Sequence, residues 1–108
     1  MCPYDKEIEE ITNFIISKYQ PVDIYLFGSC ARGAVSKYSD IDICIVADTG
    51  DKRKMAMDIQ LGINCDADVD ILVYTPEEWR KYKDDPAFFA YIIASKGVSL
   101  VGRHQETQ

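Results

Sequence analysis

Three things are scarce in this chain, and each scarcity narrows what it can be. Positive charge is the first: 12 Lys and Arg stand against 18 Asp and Glu in 108 residues, a net charge of −6. A protein that grips a nucleic-acid polymer does so through a basic surface, so strong independent binding of DNA or RNA is not expected. Local attraction of a nucleotide through a metal stays open. Paired cysteines are the second. Cys2, Cys30, Cys44 and Cys65 are scattered without the short paired spacing of a zinc site, and Cys44, set between isoleucines, reads as a small buried hydrophobe. Long apolar runs are the third: none approaches the roughly 20 residues that cross a bilayer, and no signal-peptide pattern is present. The expectation is no membrane and a reducing, cytoplasmic setting. His104, the one histidine, lies in the terminal tail without orienting partners and is a poor acid–base candidate.

What is present reads as an ordinary globular chain, with 47% hydrophobic and 28% charged residues. Its length suits one domain over residues 1–108, with 1–3 and 103–108 frayed, and there is no repeat, low-complexity stretch or linker. Tyr4, Ile8, Ile11, Ile15 and Tyr19 recur at helical spacing, and the acidic residues of the first turns suit the positive end of a helix dipole. Gln20-Pro21 stops that helix, and Val22 to Phe27 reads as a strand. A short helix is expected from Ser29 to about Val35, a second strand over Asp40 to Ala47, a helix over Lys52 to Ile63, and a third strand over Asp68 to Tyr74. Strand, helix, strand in that order favours a right-handed crossover with the two strands parallel and close. Thr75-Pro76-Glu77-Glu78 is a capping-box start for a helix reaching about Lys83. After Asp84-Asp85-Pro86 a last helix runs from Ala87 to Ser95, with Phe88, Phe89, Tyr91, Ile92 and Ile93 nearly all round it. Burial in the chain's own core is favoured over a docking surface there. Val98 to Val101 adds a short edge strand, and the fold class is α/β (α+β).

One stretch organises the rest. Phe27-Gly28-Ser29 is followed, after ten intervening residues, by Asp40-Ile41-Asp42 and the apolar run Ile43-Cys44-Ile45-Val46. Alternation along a strand sends Asp40 and Asp42 to one side and Ile41, Ile43 and Ile45 to the other. Paired carboxylates repel unless a cation lies between them, and rigid oxygen donors suit Mg²⁺. A solvated strand face is the alternative, which aspartate's dislike of strands and the upstream Gly-Ser disfavour. Gly28 and Ser29, a turn after a strand, suit close approach of an anion such as phosphate. No Gly-Lys-Ser/Thr follows, so this is not a Walker A loop. With average residue usage, Gly-Ser, ten residues, Asp-x-Asp arises by chance at roughly one in 10⁵ positions. The third strand offers a further acid beside the pair, from among Asp66, Asp68 and Asp70. Arg32 is equally suited to phosphate contact or to a structural ion pair.

The segment resembles the signature of the DNA polymerase beta-type nucleotidyltransferase superfamily. Leu26-Phe27-Gly28-Ser29-x-Ala31-Arg32-Gly33 followed by Ser39-Asp40-Ile41-Asp42 is similar to its minimal nucleotidyltransferase (MNT) branch. The likeness runs over most of the chain and is most specific over residues 26–43. It implies a single-domain nucleotidyltransferase fold with a small mixed β-sheet flanked by helices. It selects Asp70 as the third acid, and implies that Asp40, Asp42 and Asp70 hold two Mg²⁺ ions while Gly28, Ser29 and Arg32 contact the nucleotide. ATP or another NTP is the implied substrate. Members of the branch act beside helical HEPN-domain proteins, commonly as antitoxins of HEPN/MNT toxin–antitoxin pairs, which implies transfer of AMP to a tyrosine of that partner. Two other readings stand beside this: a non-catalytic antitoxin acting by contact, and a transferase for a small hydroxylated molecule, working as a homo-oligomer with a shared cleft.

Overall fold

A computed structural model of the chain describes residues 5–28, 41–63 and 68–101. The first helix, α1 (Asp5–Tyr19), buries Ile8, Ile11 and Ile15, one stripe at helical spacing. Thr12 is buried in the same stripe, and its hydroxyl donates to the Ile8 carbonyl at 2.7 Å. Gln20 ends the helix with φ +49, and its N–H reaches back to the Ile16 carbonyl at 3.1 Å. The chain then enters β1 (Asp23–Phe27).

The remaining described elements are β2 (Ile41–Val46), α2 (Lys52–Gly62), β3 (Val69–Tyr74), α3 (Pro76–Tyr82), α4 (Phe89–Lys96) and β4 (Val98–Ser99). They build a small mixed α/β domain around a four-stranded sheet in the order β3-β2-β1-β4. Strands β2 and β3 pair parallel across the α2 crossover, as the element order implies. β1 lies antiparallel to both β2 and β4. The strand expected over Val98–Val101 covers only Val98 and Ser99; Leu100 is buried in the core instead.

Alternation divides the strands between two cores. On one face Ile41, Ile43 and Ile45 of β2 join Ile24, Leu26, Val69 and Val73 beneath Ile8, Ile11 and Ile15 of α1 and Met55 and Ile59 of α2. On the other, Cys44 and Val46 pack with Tyr25, Phe27, Leu72 and Tyr74 beneath Trp79 of α3 and Ala90 and Ile93 of α4. The Trp79 ring lies 5.1 Å from Tyr25 and 5.6 Å from Tyr74. Burial pushes the Cys44 thiol up to about 12, so it stays a neutral space-filler.

Caps fix how the helices enter. Asp51 accepts from the Lys54 N–H at 3.0 Å at the start of α2. The expected capping box of Thr75 and Glu78 forms at the start of α3. Lys52 bonds Glu78 at 2.7 Å and ties the two helix starts together. The last helix departs from expectation. It starts two residues later than Ala87 and buries only Ala90 and Ile93, leaving Phe88, Phe89, Tyr91 and Ile92 exposed. Seven or eight residues of nearly uniform apolarity do not reveal which side will face the sheet.

Candidate active site

Read across the strands, the face under α3 and α4 consists of three rows. Asp70, Asp42 and Phe27 form the first; Leu72, Cys44, Tyr25 and Ser99 the second; Tyr74, Val46 and Asp23 the third. Helices cover the second and third rows. This face is therefore not solvated along its length, as a plain polar strand face would be. Among the described residues its acids stand only at the two ends.

The acid at the far end is structural. Asp23 Oδ1 accepts from its neighbour Ile24 N–H at 2.9 Å and from the Ser99 hydroxyl at 2.8 Å, joining β1 to the edge strand. Tyr25, half-buried beside it, has its hydroxyl pushed up to about 12, by burial first and then by the Asp23 carboxylate. It stays protonated and is no proton acceptor.

The near end differs. Asp42 is the second residue of β2 and Asp70 the second residue of β3, and the parallel register sets them directly opposite one another. Val69 and Ile41 turn into the first core, so both carboxylates project from the opposite face, on neighbouring strands about 4.8 Å apart. Asp70 is exposed and Asp42 half-buried. Among the acids expected on β3, Asp70 stands beside Asp42; Asp68 precedes the strand, and its carbonyl accepts the Ile41 N–H at 2.8 Å. Asp66 lies outside the described residues.

Gly28 closes the row from the third side. It follows β1 directly and has φ +76, a conformation that favours glycine. A Cβ there would collide with Oδ2 of Asp42 and lie 3.2 Å from its Cγ. Glycine is thus favoured twice, by the backbone and by the carboxylate packed against it. The sequence marks Gly28 as a turn for close approach; what approaches from within the chain is Asp42 itself.

Hard oxygen donors side by side on rigid strands fit a divalent cation such as Mg²⁺. Among the described residues no group of three or more His, Cys, Asp and Glu is gathered as for a metal. Asp40, Ser29 and Arg32, the other expected site residues, and the short helix expected from Ser29 lie outside the described residues. A cavity of about 190 Å³ lined by Tyr19, Ala47, Asp48, Asp51, Lys54 and Asp58 opens past the other end of β2 and takes no part in this row. Phe27 was not expected in the row. Its place follows from the antiparallel pairing of β1 with β2, a non-local register that no spacing in the sequence announces.

Comparison with known proteins agrees with this fold. The nucleotidyltransferase domain family matches residues 8–64, which takes in α1, β1, β2 and α2. No curated protein matches the chain. Among solved structures, a candidate nucleotidyltransferase of Sulfolobus solfataricus is similar at 29% identity, covering 73% of either chain with a TM-score of 0.54. A crystal structure of a toxin–antitoxin with AMP-PNP contains a chain similar at 25% identity, covering 95% of this chain and 88% of that one, also with a TM-score of 0.54. Among the described residues no helix is long and apolar enough to cross a membrane.

Proposed function

The chain belongs to the nucleotidyltransferase domain family, and from that premise we propose that it moves a nucleoside monophosphate, AMP from ATP, onto a hydroxyl of a partner protein. The observation that carries the reading is the in-register pairing of Asp42 with Asp70 on one face, next to a left-handed glycine packed against the Asp42 carboxylate. Asp40 joins the pair on the strength of the Asp40-Ile41-Asp42 motif.

Two Mg²⁺ ions held by Asp40, Asp42 and Asp70 would neutralise the triphosphate and lower the pKa of the attacking hydroxyl. The protein's own groups do the positioning. Gly28 and Ser29 would present donors to the β- and γ-phosphates, with the Arg32 guanidinium as a further phosphate contact. Asp70, exposed at the edge of the row, faces the acceptor and takes its proton. The acceptor oxygen bonds to the α-phosphorus, the bond from that phosphorus to the bridging oxygen of the β-phosphate breaks, and pyrophosphate leaves.

For the acceptor we infer a tyrosine of a helical HEPN-domain toxin, with this chain as the antitoxin in the cytoplasm. The solved toxin–antitoxin with AMP-PNP, similar over nearly the whole chain, supports a protein partner and an adenine nucleotide. The outward residues of α4, Tyr91 and Ile92 at 38% and 48% exposure, are the apolar surface such a partner would cover. That surface equally serves a second reading, in which contact alone neutralises the partner.

The experiment separates them. The protein is incubated with Mg²⁺, ATP labelled at the α-phosphate, and a helical HEPN-domain toxin, as wild type and as Asp42→Asn. Label on the partner with wild type only is the expected result. No label on the partner, with both proteins suppressing it equally, would establish contact; label on a small molecule instead would establish the small-substrate alternative.

A further inference from the structure

Resting on this nucleotidyltransferase reading, we propose that the ring of Phe89 is the contact for the nucleobase, so that the acidic row takes a nucleoside phosphate and not merely a polyphosphate. Phosphate and metal contacts are shared by every polyphosphate. Something else must recognise the nucleoside, and the row ends in an aromatic pair.

Phe27 is the neighbour of Asp42 across the strands and projects from the same face. Phe89, from the first turn of α4, stands against it with centroids 5.5 Å apart and planes at 80°. An edge-to-face contact uses at most one face of either ring, so Phe89, which is 49% exposed, keeps an aromatic face towards solvent. The core does not require it there. Ala90 and Ile93 are the residues of α4 that are fully buried, and Phe89 flanks them. The adjacent ring, Phe88, turns away and packs on Tyr82 of α3 with centroids 4.2 Å apart. The two rings at the start of α4 therefore part, one onto the neighbouring helix and one onto the strand that borders the carboxylates. Nucleobases stack on aromatic faces with little regard to which base they are, and the open face of Phe89 borders the carboxylate row.

The test measures binding of Mg·ATP, Mg·GTP and Mg·tripolyphosphate to wild type, Phe89→Leu, Phe89→Trp and Asp42→Asn. Leucine keeps apolar bulk against Phe27 and removes the π-face; tryptophan keeps it. Phe89→Leu is expected to weaken both nucleotides about tenfold and to leave tripolyphosphate unchanged, while Phe89→Trp retains ATP. Asp42→Asn is expected to weaken all three ligands. If Phe89→Leu binds ATP like wild type, or weakens all three ligands equally, the base contact is wrong while the acidic site stands. If Asp42→Asn changes nothing, or wild type binds none of the three, the reading of the site fails and the base contact with it.

Discussion

The two faces of the sheet are made by the same strands with the same alternation, yet they have different work. Beneath α1 and α2 the face is isoleucine, valine and leucine from end to end, closed over by two helices. Beneath α3 and α4 two rows of largely aromatic and aliphatic packing give way, in the third, to Asp42 and Asp70. The contrast teaches where stability and chemistry are kept apart.

Substitutions that act on one face only will break or sharpen that contrast. Ile43→Ala, at a fully buried site on the closed face, should cost about 2 to 5 kcal/mol in urea unfolding. Activity per folded molecule should survive. Asp42→Asn should do the reverse: transfer falls at least ~10²-fold in a labelling assay, while a cooperative unfolding curve shows that the variant is still folded. Gly28→Ala should injure both sides of the comparison. A left-handed backbone and a Cβ driven into the Asp42 carboxylate together cost about 1 to 3 kcal/mol and displace the site residue, so stability and transfer fall in one variant.

The smallest effects lie at the start of α3. Thr75→Ala removes the N-cap and should cost about 1 kcal/mol. Its partner Glu78 is held below the usual carboxylate range, first by the hydrogen bond from Lys52 and then by the Thr75 N–H. A folded pKa below the unfolded one contributes stability above the ordinary glutamate value and loses it as pH falls through the folded pKa. The wild type should therefore shed a little stability over that acid range. Glu78→Gln should flatten that part of the curve in unfolding measurements against pH.

Local chemistry made much of this legible in the sequence. The capping box at Thr75, the alternation of β2 and β3, and the parallel pairing of those strands across one helix follow from neighbours within a few residues or from a single crossover rule. Once β2 and β3 are known to be parallel, Asp70 beside Asp42 needs only their register. The order of the sheet is another matter. That β1 lies between β2 and β4, antiparallel to both, depends on contacts between residues far apart in the chain. For the same reason Phe27 could not be placed next to Asp42. The burial expected for the last helix did not hold, because an apolar surface all round a short helix has no preferred side until the sheet beneath it is built.

The account turns on Asp42 and Asp70 acting together on one cation, and manganese can stand in for magnesium to show it. Binding of Mn²⁺ with AMP-PNP, followed by electron paramagnetic resonance, should weaken in Asp42→Asn and in Asp70→Asn alike, while both variants still unfold cooperatively. Manganese bound by Asp70→Asn as tightly as by wild type would contradict it.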